Sequence, residues 1–125
     1  MGFSYHSFIL KNDGTLWSCG NNNEGQLGLG DTSYRSIFTQ ITTNADDIKE
    51  IYCGYNHTLI LKNDGTLWGC GYNHYGQLGL GDGTNRSIFT KVTTTTSYPI
   101  FSMSSIINCI NYCIGIFIRI TLCLR

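Results

Sequence analysis

Residues 61–82 read LKNDGTLWGCGYNHYGQLGLGD, and residues 10–31 read LKNDGTLWSCGNNNEGQLGLGD. Trp17 and Trp68, Cys19 and Cys70, and Asp31 and Asp82 are each 51 residues apart. Widening the comparison to residues 6–43 against 57–94 leaves 27 of 38 positions identical, with no insertion. Self-similarity at a fixed period near 50 residues, in strand-like sequence, is the mark of a propeller or solenoid array. The period therefore decides the architecture before any single element is assigned.

Within each copy, two apolar strand-length runs flank Asn-Asp-Gly: HSFILK and LWSCG in the first, HTLILK and LWGCG in the second. That pattern predicts a hairpin, with Asp-Gly supplying the positive φ angles of a type I′ turn. The runs are apolar on both faces, with Leu59 and Leu61 opposite Ile60, which suits a sheet covered on both sides as stacked blades are. Glycine inside the second run (Gly20, Gly69, Gly71) weakens a strand unless another backbone comes close. The reading expects that neighbour to be an adjacent blade or the ring of Trp68. Residues 47–53 alternate as a half-buried strand should. No helical period precedes residue 98.

The G-x-x-G-x-G of residues 25–30 and 76–81 is not the dinucleotide fingerprint, and no Gly-Lys-Ser/Thr follows it. It reads as a compact loop, its leucines filling the blade edge, with Asp31 and Asp82 accepting from turn amides. Eight Lys plus Arg balance eight Asp plus Glu, so no charge asymmetry points to nucleic acid. The start of the chain lacks the basic and apolar regions of a secretory signal. The expected compartment is intracellular, most simply the cytoplasm. Six cysteines then read as free, small, buried hydrophobes rather than a disulfide frame.

Taken together, GYNHT at 54–58, the LKNDGTLWGCG run, NHYGQLGLGD at 73–82 and RSIFTKV at 86–92 resemble the regulator of chromosome condensation repeat family. The resemblance covers about residues 1–97. It implies blades of a seven-bladed propeller, each a four-stranded antiparallel sheet. Family members usually carry proline where Phe38 and Phe89 stand, a change expected to alter how the loop enters the next strand. Only two units are present, and a blade buries its faces only against neighbours.

The expectation is thus an all-β fold, a partial β-propeller of two tandem blades. Residues 1–45 form a first repeat incomplete at its N-terminus, 46–97 the second, and 98–125 an irregular or helical hydrophobic tail. Two blades leave wide apolar faces, so the chain reads as a fragment, a truncated product, or a unit that completes itself with other copies. The tail, ending IINCINYCIGIFIRITLCLR, departs from the repeat. It reads as a marginal membrane span over residues 106–124, weakened by Arg119, Asn108 and Asn111. The other readings are an aggregation-prone strand segment or translation from a shifted frame.

No catalytic constellation stands out. His6 and His57 are repeat landmarks, read as packed residues with both nitrogens satisfied. Cys53 and His57 lack a second pair of zinc ligands, and Asp13 and Asp64 are turn residues. Trp17 and Trp68 are assigned to the core. No catalytic residue, cofactor or metal site is assigned. The changes between copies concentrate in loops, at Asn21/Tyr72, Asn23/His74, Glu24/Tyr75 and 32–34 against 83–85, where a propeller places recognition. Tyr72, His74 and Tyr75 are therefore the candidate contact patch for a protein partner. The leading expectation is a non-enzymatic protein-interaction module. The alternatives are guanine-nucleotide exchange on a small GTPase, which the resemblance implies, and a gene remnant without a function of its own.

Overall fold

The computed structural model describes residues 5–93. Seven strands run in chain order: β1 (His6–Leu10), β2 (Leu16–Gly20), β3 (Arg35–Ile41), β4 (Ile48–Cys53), β5 (His57–Lys62), β6 (Leu67–Gly71) and β7 (Arg86–Lys91). They form two antiparallel meanders, a three-stranded sheet β1-β2-β3 and a four-stranded sheet β4-β5-β6-β7. The fold is all-β, as the two-copy pattern requires. The tail expected at 98–125, with its candidate span at 106–124, lies outside the described residues.

Both hairpins close in the same way. Gly14 N donates to Lys11 O and Lys11 N to Thr15 O, at 2.9 Å each. Only Gly14, at φ 87°, is left-handed there. The turn is therefore type I followed by a glycine bulge, rather than type I′. Asp13 explains the choice: its Oδ1 accepts from both Thr15 N and Thr15 Oγ1, which ties the chain down one residue later than a two-residue turn would. Asp64 does the same for Thr66.

The strand glycines also have a nearer explanation than the one expected. A Cβ on Gly20 would strike the carbonyl oxygen of Tyr5, and one on Gly71 would lie 2.5 Å from that of Asn56. At these two positions the tightest crowding comes from the paired strand of the same sheet, where the chain enters β1 and β5. The expected adjacent blade also approaches Gly71, through Gln26 Cβ at 3.1 Å, while Gly69 is crowded by the side chains of Leu59 and Leu78. Trp17 and Trp68 are half-buried rather than core. Each indole N–H donates to a threonine hydroxyl, Thr15 or Thr66, and each ring carries a lysine, Lys11 or Lys62, over its face.

The sheets stack so that one face of the first covers the opposite face of the second. Strand β5 is buried on both sides. Ile60 joins Leu16, Ile41, Ile48, Cys70 and Phe89 between the sheets, while Leu59 packs with Tyr52 and Leu78 on the far side. Phe89 is fully buried, and its ring lies against Gly28, where a Cβ would approach Cε2 to 2.7 Å. It sits inside β7 rather than at a loop entrance, so the family's proline position is a plug position here. Asn44, at φ 58°, turns the linker so that its amide donates to Phe89 O at 2.9 Å.

One polar relay crosses the same interface. The Thr58 hydroxyl donates to Gln26 O at 2.9 Å, so its oxygen is left to accept from His6 Nε2, also at 2.9 Å. That geometry assigns the proton to Nε2 of a neutral imidazole. The sequence reading holds for His6. It fails for His57, whose Nε2 is buried without a hydrogen-bond partner.

Two consequences follow for stability. Phe89→Ala should cost about 3–5 kcal/mol, because Gly28 leaves nothing to fill the void; chemical denaturation reads it. Burial first, then proximity to His57, pushes the His6 pKa from 6.5 down to about 4. Between those values the unfolded chain binds more protons, so stability present above pH 6.5 drains away as pH falls toward 4. Lowered carboxylates such as Asp31 and Asp64 act in the same direction but further down. Denaturation midpoints should fall across this window, by up to about 3 kcal/mol in stability, and stay flat in His6→Gln.

Candidate recognition surface

The loop between β6 and β7 is built around the polar side chain of Asn73, which is fully inaccessible. Its Nδ2 donates to Asp82 O and Thr84 O, both at 3.0 Å, and its Oδ1 accepts from Leu78 N at 2.9 Å. Asn22 makes the corresponding bonds to Asp31, Ser33 and Leu27 in the first copy. Asp82 accepts from Thr84 N, as the turn reading expects, and pairs with Arg86 at 2.8 Å. The arginine and its neighbouring amides hold the Asp82 carboxyl below the usual carboxylate range.

On this frame Tyr72, His74 and Tyr75 come together. The Tyr72 ring stands 4.8 Å from that of His74 and 5.9 Å from that of Tyr75. Tyr75 is 87% exposed. Burial, then the Tyr75 phenol and the Glu24 carboxylate, raise the Tyr72 phenol above its ordinary pKa. Glu24 in turn accepts from Asn85 at 2.6 Å, which joins the two loops into one surface. A polar, aromatic, weakly charged patch of this kind suits protein contact. The three cysteines described are free thiols. Burial lifts the Cys53 thiol to about 11 and holds the Cys70 thiol well above its ordinary value, which keeps both in the unreactive thiol form at neutral pH.

Two features escaped the sequence reading. Asn22 and Asn73 organise the loops, and their signal was an asparagine kept identical while the residues on both sides differ between copies. Tyr5 and Tyr55 stack edge to face at 5.7 Å, both more than half exposed, at the same end of the sheets. They lie where the two copies align weakly, so the repeat gave no cue.

Comparison with known proteins agrees with the geometry. Two family profiles, both described as the regulator of chromosome condensation (RCC1) repeat, match residues 48–77 and residues 13–61 with 64–105. The X-linked retinitis pigmentosa GTPase regulator of Mus musculus is 44% identical over 90 residues, covering 70% of this chain and 9% of that protein. The Ultraviolet-B receptor UVR8 of Arabidopsis thaliana is 40% identical over 91 residues, covering 72% and 21%. The secretion-regulating guanine nucleotide exchange factor of Bos taurus is 33% identical over 101 residues, covering 80% and 22%. The chain thus spans less than a quarter of the length of these relatives. Human WBSCR16 superposes with a TM-score of 0.63 at 28% identity, over 73% of this chain and 24% of that one. Yeast RCC1 (Prp20), solved bound to Kap60, gives 0.65 at 23% identity over 75% and 24%, a likeness of fold. The chain belongs to the regulator of chromosome condensation (RCC1) repeat family.

Proposed function

We propose that the chain is a protein–protein interaction module that contacts its partner through Tyr72, His74 and Tyr75. The observation that carries this reading is a cluster of three aromatic rings, one almost fully exposed, above a loop pinned by Asn73. Rigid aromatic side chains give contact area at small entropic cost, and exposed aromatic anchors are where binding energy concentrates. Relatives of the same fold bind proteins: yeast RCC1 is seen with Kap60, and Prp20p is described by its binding to Gsp1p and histones.

Guanine-nucleotide exchange is the second reading, supported by the similarity to the bovine exchange factor. The two readings separate experimentally. Alanine at Tyr72, His74 and Tyr75 together should cut capture of a bound partner at least about tenfold, since each anchor is worth about 1 kcal/mol or more, while thermal stability stays unchanged. Undiminished capture contradicts the proposal, and acceleration of labelled-nucleotide release from a small GTPase favours exchange instead.

A further inference from the structure

The contact between the two sheets is unequal: the first copy contributes a socket and the second a plug. The socket is the loop at residues 25–30. A Cβ on Gly25 would lie 2.7 Å from Ser87 Cα, Gly28 takes the Phe89 ring, Gly30 N donates to Ser87 O at 2.9 Å, and Gln26 O accepts from Thr58 and Cys70. The plug is the face of the second sheet that carries Thr58, Ile60, Cys70 and Phe89, all fully buried.

Shifting every residue by 51 finds the other half of each, uncovered. In the second copy the glycines of the socket loop are open. Gly76 and Gly79 are exposed where Gly25 and Gly28 are buried. A Cβ on Gly76 would meet nothing within 4 Å, and one on Gly79 only Val92, at an ordinary 3.5 Å. In the first copy the plug face is bare: Phe38 is 39% and Ile9 40% exposed, and Ser7 stands exposed at the position of Thr58. The relay is unfinished as well. His57, the counterpart of His6, is 2% exposed with Nε2 unpaired; the hydroxyl its counterpart bonds is Thr58, and the matching residue is Ser7. The rim pair Glu24–Asn85 maps onto Tyr75 and Tyr34, two of the most exposed large side chains described.

We infer that the plug face of one copy, with Ser7, Ile9 and Phe38, docks into the 76–81 loop of a second copy of this chain. The occupant is specified by the chain itself, because both halves are near-duplicates of an interface it already forms. Phe38 would take the place of Phe89 against Gly79, Ser7 would accept from His57 Nε2, and Tyr34 would meet Tyr75. A formal charge of zero puts no net repulsion in the way. The contact is heterologous, so association is head to tail and runs to rings or longer chains rather than stopping at a two-fold dimer. The inference shares Tyr75 with the partner patch proposed above but is carried by Phe38, Ser7, His57 and the glycine loop, none of which belongs to that patch.

Sedimentation velocity on the full chain tests it with two single substitutions. Phe38→Glu disables the plug at an already exposed position. Gly79→Asn disables the socket with a residue that tolerates positive φ. The unaltered chain should form a concentration-dependent series of oligomers. Each variant alone should be monomeric, with the circular dichroism of a folded β protein. Mixing the two variants should restore association but only to heterodimers, because each retains one working half. A monomeric unaltered chain, oligomers that persist in both variants, or an equimolar mixture that stays monomeric would each overturn the inference. Tyr72→Ala with His74→Ala should leave assembly intact, so a failure of assembly and a failure of partner capture are read separately.

Discussion

The whole structure depends on how a sheet that is apolar on both faces is kept dry. Neither sheet can do it alone: Ile60 and Phe89 are fully buried only because the first sheet and its 25–30 loop lie over them. Burying side chains of this size is worth about 1.5–3 kcal/mol each, which makes the inter-sheet layer the largest favourable contribution visible. Glycine is required on the covering side. At Gly28 any side chain would occupy the volume of the Phe89 ring, so loop composition and core volume are one constraint.

The polar relay adds direction to that apolar contact. Thr58→Val removes the hydroxyl that links His6 Nε2 to Gln26 O and leaves that carbonyl only the weaker Cys70 thiol, at a cost of about 1–3 kcal/mol. The hydroxyl also registers the two sheets, because only one offset brings it between the two partners. Apolar packing alone tolerates sliding far better. Histidine in this position makes the contact acid-sensitive, since protonation would place a charge in a buried layer beside His57.

Much of this was legible in the residues because repetition carries the information twice. Equal spacing of Trp17 and Trp68, and the both-face apolar pattern of residues 57–62, were enough for two stacked antiparallel sheets. The clustering of Tyr72, His74 and Tyr75 followed from loop positions that vary between copies. What stayed hidden depends on three-dimensional neighbours. The glycine-bulge turn is selected by the Asp13–Thr15 bonds, whereas Asp-Gly alone is compatible with more than one turn type. Gly20 answers to a carbonyl of its own sheet, and Phe89 becomes a plug only when Gly28 of the other copy is opposite. Asn73 looked like one more loop residue, because a buried amide announces itself by its partners rather than by its type.

The central claim is that the two sheets form one cooperative unit through this layer. Native-state amide hydrogen exchange measures it most directly, by comparing opening free energies for β2 with those for β5 and β6. The account predicts a shared opening energy for these strands, reduced in both sheets alike by Thr58→Val. Separate opening energies, with the first sheet indifferent to the change at Thr58, would contradict it.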